Sequence, residues 1–187
     1  SDLVFWKFMR QGCDKALREL GNVTLTWRGP AYDDDTDSQI RIVQAYTRPD
    51  VDALIIVPTD RERLLEPIRK AAALGIKIIV VDSGLDGNEH RNFIATNNFS
   101  AGKLAAKRLV DVLGGDGKVL VLRTVAGSAS TDERAGGFVD YLWNNAPKIR
   151  LVADEYGGGS KGKAQASALA LLKKYPDLAG VFAVNEA

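Results

Sequence analysis

The stretch VDALIIVPTD, residues 51–60, holds the clearest fold signal in the chain. It contains an unbroken apolar run, Ala53–Val57, which leads directly into Pro58, Thr59 and Asp60. A run that is apolar at every residue, rather than at alternate residues, is typical of a parallel-sheet strand covered on both faces. The polar residues after it would lie at the carboxyl end of the strand, where open α/β sheets bind ligands. The stretch therefore predicts a parallel sheet with a ligand site at its carboxyl edge.

The same pattern repeats on both sides of this stretch. We predict further strands at Val23–Trp27, Lys77–Val81, Phe93–Thr96, Lys118–Leu122, Ile149–Ala153 and Gly180–Val184. Amphipathic segments between them predict helices at residues 5–20, 37–48, 61–74, 100–113, 131–144 and 163–175. This regular alternation of strand and helix predicts an α/β fold with doubly wound parallel sheets.

Composition excludes several classes of function. The chain has 187 residues, with 25 Lys and Arg against 24 Asp and Glu, so its net charge is only +1. This balance argues against binding to the phosphate backbone of nucleic acid. A single cysteine and a single histidine allow no internal disulfide and no histidine-rich metal site, so we expect no metal and no cofactor. No apolar run approaches the ~18 residues of a membrane span, and we expect no direct membrane insertion.

Polar side chains follow four of the predicted strands. Besides Thr59 and Asp60, they are Asp82 with Ser83, Arg123 with Thr124, and Asn185 with Glu186. Carboxylates accept hydrogen bonds from hydroxyl groups, while arginine and asparagine donate them, so the set suits a polyhydroxylated ligand. None of these residues forms a nucleophile and base pair, and we expect no catalytic residue. The alternative for each position is a cap for the following helix.

Two adjacent aromatic residues, Phe5 and Trp6, begin the first predicted helix. Neighbours on a helix do not both face one core, but at a helix start an aromatic ring can face a cleft. Such a ring packs well on the apolar face of a sugar. The alternative is that both rings pack in a core or an interface.

A glycine-rich stretch, Gly157–Ala164, matches the GxxxxGK pattern of a phosphate-binding loop. Ala164 stands where that loop carries the Ser or Thr that binds Mg²⁺, so we interpret the stretch as a flexible turn. The glycine pattern of a dinucleotide-binding turn follows none of the strands. Asp33–Asp35 lacks the ligand spacing of a calcium loop, and we expect a solvated loop there.

Five blocks in order along the chain carry a resemblance to a known family. They are residues 51–60 (VDALIIVPTD), 73–82 (ALGIKIIVVD), 94–102 (IATNNFSAG), 133–138 (ERAGGF) and 175–186 (YPDLAGVFAVNE). Together they resemble the ribose-binding-protein-like group of type-I periplasmic binding proteins, which is related to the effector domains of LacI-type regulators. The resemblance extends over nearly all of the chain. It implies two lobes, which we place at residues 1–96 and 97–187, with a ligand cleft between them.

The resemblance also implies roles for particular residues. Phe5 and Trp6 match the aromatic pair that holds the sugar ring, and Asp82 matches a carboxylate acceptor. Arg134 matches an arginine that clamps the ligand, and Asn185 matches an amide at a strand end. The chain departs from the ribose binder at three places, with Ser83 in place of an arginine, Gly157–Gly159 in place of an aromatic residue, and Glu186 in place of an aspartate. The predicted ligand-binding residues are Phe5, Trp6, Asp82, Ser83, Arg134, Asn185 and Glu186.

The resemblance supports two hypotheses about function. In the first, the protein is a monomeric receptor, periplasmic or lipid-tethered, that captures a sugar and delivers it to the permease of an ABC importer. In the second, it is the ligand-sensing effector domain of a LacI-type regulator. The chain shows no signal-peptide pattern, begins on a helix-like segment and stops directly after a buried strand. We therefore expect a truncated fold, with further parts of a longer protein on both sides.

Overall fold

Two parallel β-sheets, each of three strands, organise the chain. The computed structural model describes residues 4–186. Every strand pairing in it is parallel, as the continuous apolar runs predict. The α/β class with parallel sheets is therefore confirmed.

The first sheet consists of β1 (Ala53–Ile56), β2 (Lys77–Val81) and β3 (Asn92–Ile94), in that spatial order. The helices that belong to this half of the chain are α1 (Val4–Leu20), α2 (Thr36–Tyr46) and α3 (Leu65–Ala73). Their common core includes Ile56, Leu64, Ile68, Ile78 and Val80, all of them buried. Helix α1 is the exception, because none of its residues is buried.

The second sheet consists of β4 (Gly117–Arg123), β5 (Ile149–Tyr156) and β6 (Gly180–Ala183), with β4 at its centre. Its helices are α4 (Asn98–Leu113), α5 (Ala129–Asn145) and α6 (Lys161–Lys174). Val119, Val121 and Phe138 lie at the core of this half. The ring of Phe138 stacks on that of Phe182, with centroids 4.2 Å apart. In the sequence, the strands of the first sheet come before residue 96 and those of the second come after residue 97. The lobe boundary between these two residues stays a prediction.

Helices α4 and α5 pack with their backbones in direct contact. A Cβ atom at Gly102 would meet the carbonyl oxygen of Arg134, and one at Gly137 would meet the carbonyl oxygen of Phe99. Glycine at both positions therefore allows an approach that any larger residue would prevent. The contact brings the start of α4 beside Arg134, which is important for the site described below.

The prediction of a strand at Val23–Trp27 is wrong. These residues have no regular secondary structure, and Val23 is half exposed. Their β-branched and aromatic composition favours an extended strand, but a strand is stable only when its backbone groups pair with a neighbour. Among residues 4–186, no strand pairs with this segment.

The other predicted elements exist, with bounds that differ by a few residues. The largest shift is at the third helix, predicted from residue 61, which begins at Leu65. Residues 61–64 form turns instead, and Asp60 Oδ1 accepts hydrogen bonds from the backbone N–H groups of Glu62 and Arg63. Within the described part of the chain, no helix combines the length and the apolarity needed to cross a membrane.

Candidate ligand-binding cleft

One cleft brings together residues from both sheets and from the start of α1. Its cavity volume is about 110 Å³. All seven predicted ligand-binding residues line it, namely Phe5, Trp6, Asp82, Ser83, Arg134, Asn185 and Glu186. Asp82 and Ser83 follow β2, while Asn185 and Glu186 follow β6. The cleft therefore lies at the carboxyl ends of strands from both sheets, where a parallel topology places polar residues that are distant in sequence.

Asp82 occupies a backbone conformation that few residues other than glycine adopt. Its φ is 64°, in the left-handed region, which aspartate and asparagine tolerate better than other side chains do. Its N–H donates to the carbonyl of Ile94 over 2.8 Å and holds the turn to the end of β3. Burial raises the pKa of the Asp82 carboxyl, and the nearby Arg134 opposes that rise. The fold therefore keeps a partly buried carboxylate here at some cost in stability.

Ser83 connects the two halves of the cleft. Its side chain is buried, with only 2% of the residue exposed. Its Oγ accepts a hydrogen bond from the backbone N–H of Ser130, at the start of α5, over 3.2 Å. This bond leaves the hydroxyl proton of Ser83 available to a ligand, because the oxygen is the acceptor in it.

Three hydrogen bonds hold the guanidinium of Arg134 in the cleft. Nε and Nη2 donate to Oδ1 of Asn98, over 3.2 and 2.7 Å, and Nη1 donates to the carbonyl of Val184. Asn98 is itself buried, with 2% exposure, and donates to the carbonyl of Thr96 over 3.1 Å. An arginine held in this way keeps its orientation before a ligand arrives, so little side-chain entropy is lost on binding.

Phe5 and Trp6 form one edge of the cleft. The two rings meet edge to face, with centroids 4.9 Å apart and an angle of 81° between their planes. Both residues line the same cavity, although adjacent helix positions point in different directions. Both residues lie in the first turn of α1. The edge of the cleft is therefore apolar and aromatic.

Several cleft residues are absent from the sequence-based set. They include Asp33, Thr59 and Thr124, together with the hydroxyl residues Ser128, Ser130 and Thr131 at the start of α5. Thr59 and Thr124 each come two residues after the end of a predicted strand, so their strand-end position was a usable signal. Asp33 carried no such signal, because it lies in a loop far from any strand.

The charges in the cleft are mainly negative. Asp33, Asp82 and Glu186 line it, and among the described residues Arg134 is the only lysine or arginine there. Asp33 and Glu186 both raise the pKa of Asp82, as expected for like charges at close range. The three carboxylates are strong acceptors for hydroxyl groups. They also disfavour an anionic ligand.

The loop at Asp33–Asp35 is not simply solvated, which corrects the expectation from the sequence. Asp33 lines the cleft, and Asp35 caps α2 by accepting from the N–H of Ser38 over 3.0 Å. Asp34 forms an ion pair with Lys163, with Nζ and Oδ2 2.5 Å apart. The pair lowers the pKa of Asp34 and raises that of Lys163. Each of the three carboxylates therefore has a different environment.

The ion pair with Asp34 also gives a structural role to Lys163, the lysine of the glycine-rich stretch. Lys163 contacts a carboxylate of the loop before α2, and Gly159 packs against the same loop. A Cβ atom at Gly159 would lie 2.7 Å from the backbone nitrogen of Asp34. The stretch therefore serves as a contact between distant parts of the chain. Within the described residues, no cluster of His, Cys, Asp and Glu is arranged to hold a metal ion.

Comparison with known proteins identifies the family. The profile of the periplasmic binding protein domain matches residues 1–187. The ribose import binding protein RbsB of Bacillus subtilis is 26% identical over 182 residues, which are 97% of this chain and 58% of that protein. The D-ribose/D-allose-binding protein of Pseudomonas aeruginosa is 29% identical over 158 residues, 81% of this chain and 49% of that protein. The chain thus spans less than two thirds of these relatives.

Solved structures agree with this assignment. A periplasmic component of an ABC-type sugar transport system from Hahella chejuensis is 38% identical, with a TM-score of 0.94, over 100% of this chain and 68% of that one. A solute-binding protein from Agrobacterium vitis with bound D-fucose is 31% identical, with a TM-score of 0.91, over 96% of this chain and 63% of that one. The chain therefore belongs to the periplasmic binding protein family, in its type-I, ribose-binding-protein-like group.

Proposed function

We propose that this chain is the ligand-binding part of a solute receptor that captures a sugar in the cleft and delivers it to an ABC importer. In this proposal the ligand-binding residues are Phe5, Trp6, Asp82, Ser83, Arg134, Asn185 and Glu186. The receptor works as a monomer outside the cytoplasmic membrane, periplasmic or lipid-tethered. No step of this function is catalytic.

The observation that carries the proposal is the chemistry of the cleft. An aromatic edge, Phe5 and Trp6, lies beside carboxylates, hydroxyls and a fixed arginine. A sugar ring has apolar C–H faces and a belt of hydroxyl groups, so it needs an aromatic surface and many hydrogen-bonding groups in one place. The excess of carboxylates over cations favours an uncharged ligand over a sugar phosphate.

The names of the relatives support the same class of ligand. The two curated relatives reported above bind ribose, or ribose and allose, by name, and one of the solved structures contains D-fucose. A further structure, from Agrobacterium radiobacter, is 28% identical with a TM-score of 0.93 and contains D-arabinose. These four monosaccharides are therefore the first candidates. The reported relatives are transport proteins, so the alternative of a LacI-type effector domain is not favoured.

Ligand capture requires the two halves of the cleft to act together. Hydrogen bonds between the halves include one from the N–H of Arg61 to the carbonyl of Gly127 over 3.0 Å and one from the N–H of Ser130 to Ser83 Oγ. In the proposal, residues 96 and 97 lie at the crossover between two lobes. A ligand that contacts both lobes stabilises their closed arrangement, because it binds that arrangement more tightly than an open one.

The test is a thermal-shift screen of the chain against D-ribose, D-allose, D-arabinose, D-fucose and ATP–Mg²⁺, followed by calorimetric titration. A ligand at 100 times its dissociation constant stabilises a protein by about 2.7 kcal/mol. We expect a shift with at least one sugar and none with ATP–Mg²⁺. Arg134→Ala is the matched variant, and its shift with the same sugar should be smaller. No shift with any sugar, at concentrations up to 10 mM, would contradict the proposal.

A further inference from the structure

Two buried polar atoms in the cleft have no hydrogen-bond partner among the described residues. They are Nε1 of Trp6 and Oγ1 of Thr124. Most buried polar atoms in proteins are paired, so each exception needs an explanation. Glu89 and His90 also carry such atoms, but they do not line the cleft. The cleft itself therefore has two unused hydrogen-bonding groups.

Thr124 differs in this respect from Thr131, Thr59 and Ser83, three other hydroxyl residues of the cleft. Thr131 donates to the carbonyl of Ser128 over 3.2 Å, and Thr59 donates to Oε1 of Gln39 over 2.9 Å. Ser83 accepts from the N–H of Ser130. Thr124 is only 4% exposed, and within residues 4–186 its hydroxyl has no hydrogen-bond partner.

The backbone of Thr124 is fixed, which holds this residue in the wall of the cleft. Thr124 comes directly after β4, the central strand of its sheet, and its carbonyl accepts from the N–H of Gly158 over 2.8 Å. The preceding residue, Arg123, is held by Asp154, with Nη2 and Oδ2 2.8 Å apart. A buried hydroxyl that has no partner among the described residues, on a residue that lines the cleft, leaves a hydrogen bond for a ligand to make.

Trp6 carries the second unpaired group, and the chemistry of this group restricts what can bind it. The indole N–H is a donor only, so its partner must be an acceptor. Its ring contacts Phe5 edge to face. A sugar hydroxyl accepts from the indole N–H, and a second hydroxyl both donates to and accepts from the threonine.

We infer that the bound sugar supplies the missing hydrogen-bond partner of both groups. One of its oxygens accepts from Trp6 Nε1, and one of its hydroxyls pairs with Thr124 Oγ1. Thr124 is then a specificity-determining residue, because a sugar that lacks this hydroxyl leaves a buried group unpaired. The inference rests on the proposed function. It gives Thr124, which the strand-end pattern names only as one of several candidate groups, a defined hydrogen bond to the ligand, and it gives Trp6 a donor role beside the aromatic face that the resemblance assigns.

Thr124→Val is the decisive variant, because valine has the shape of threonine without the hydroxyl. Loss of one hydrogen bond to the ligand should lower the affinity for the sugar about tenfold. Removal of a buried unpaired group should raise the free energy of unfolding of the ligand-free protein by about 1 kcal/mol. Its Tm should then rise by about 2 °C. Lower affinity together with higher intrinsic stability is the signature of a hydroxyl that only the ligand satisfies.

Thr47→Val is the matched control. Thr47 lies at the end of α2, outside the cleft, and its hydroxyl donates to the carbonyl of Val43 over 2.8 Å. Its loss should lower the Tm and leave the affinity for the sugar unchanged, which is the opposite pattern.

A deoxy-sugar series tests the specificity directly. The probe is whichever of D-ribose, D-allose, D-arabinose and D-fucose the wild-type chain binds most tightly, with its monodeoxy analogues. Wild type should reject one analogue about tenfold, and Thr124→Val should bind that analogue and the parent sugar equally. Trp6→Phe, which keeps an aromatic face and removes the N–H, should likewise lose affinity about tenfold.

The outcomes separate the inference from the proposed function. If wild type binds none of the four sugars, the proposed function fails and the inference fails with it. If wild type binds a sugar and Thr124→Val binds it with unchanged affinity, the inference is overturned and the proposed function stands. If Thr124→Val loses both stability and affinity, the hydroxyl has a partner within the protein, and the inference is again overturned.

Discussion

Asn98 and Arg134 are joined by two hydrogen bonds to one oxygen atom. Nε and Nη2 of Arg134 donate to Oδ1 of Asn98 over 3.2 and 2.7 Å. The two residues are 36 positions apart, and the close contact between α4 and α5 brings them together. The buried amide of Asn98 therefore sets the direction of Arg134, the only cationic side chain among the described residues of the cleft.

Arg134→Ala should weaken sugar binding by about 2 kcal/mol, or about thirtyfold, because a hydrogen bond from a charged group to the ligand is lost. The free energy of unfolding should also fall, by about 1 kcal/mol, because Asn98 Oδ1 is left buried without a donor. Calorimetric titration and denaturant unfolding measure the two effects. An affinity within twofold of wild type would remove Arg134 from the binding site.

Trp6→Ala should weaken sugar binding by about 2 kcal/mol, since an aromatic surface beside the ligand is lost. Its effect on stability should be small, because no residue of α1 is buried. The matched control is Phe8→Ala, on the same helix and 66% exposed, which should leave the affinity unchanged. Equal losses of affinity in the two variants would mean that α1 as a whole, rather than Trp6, is required.

Asp82→Asn should stabilise the ligand-free protein at neutral pH and weaken sugar binding. Burial raises the pKa of Asp82 above its ordinary value of 3.8, so its contribution to stability is full below that pH and is lost as the pH rises through the raised pKa. Asparagine carries no charge and removes this dependence. Thermal unfolding of both proteins between pH 3 and pH 7 tests it, and parallel curves would contradict the prediction.

Asp82→Ala separates the charge from the backbone conformation. Alanine removes the same charge but tolerates a φ of 64° less well than asparagine does. It should therefore be less stable than Asp82→Asn by about 1 kcal/mol.

Gly102→Ala should destabilise the protein by about 1–3 kcal/mol, because the new Cβ would meet the carbonyl of Arg134 and push α5 away. Sugar affinity should fall as well, since Arg134 moves with the helix. Gly162→Ala is the control, as no atom lies within 4 Å of its Cβ position and it is in α6. It should stabilise the helix by up to about 1 kcal/mol. Similar stability changes in the two variants would show that α4 and α5 are not in close contact.

Asp34→Asn should lower the Tm at low salt and leave it nearly unchanged at high salt, because the ion pair with Lys163 is partly exposed and is screened. Because the pKa of Asp34 is lowered, the ion pair stabilises the fold above pH 3.8. Because the pKa of Lys163 is raised, this stabilisation is present below pH 10.5. The Asp34→Asn, Lys163→Met double variant should lose no more than either single variant. Additive losses would show that the two residues do not interact.

Much of the architecture follows from local sequence. The apolar runs at 53–57, 77–81 and 118–122 predict parallel strands covered on both faces because each is too short for a helix and uniformly apolar. The structure confirms the parallel strands, but β1 is not covered on both faces, since Ile55 is 58% exposed. The place of Asp82 after β2 and of Asn185 after β6 follows from topology alone, since parallel strands end at one edge of a sheet. The sequence of Val23–Trp27 shows where this reasoning stops, because its composition favours a strand but pairing depends on a distant neighbour.

Only the tertiary structure decided how the cleft is completed. Asp33 enters it from a loop, and Asn98 orients Arg134 across the contact of two helices. Thr124 was visible at a strand end, but its unpaired hydroxyl became apparent only when its neighbours were placed around it. Apart from Val23–Trp27, the sequence by itself determined which segments form strands and helices, because those choices depend mostly on neighbours a few residues away. The partners of each polar side chain depend on residues tens of positions away, and three-dimensional packing alone decides them.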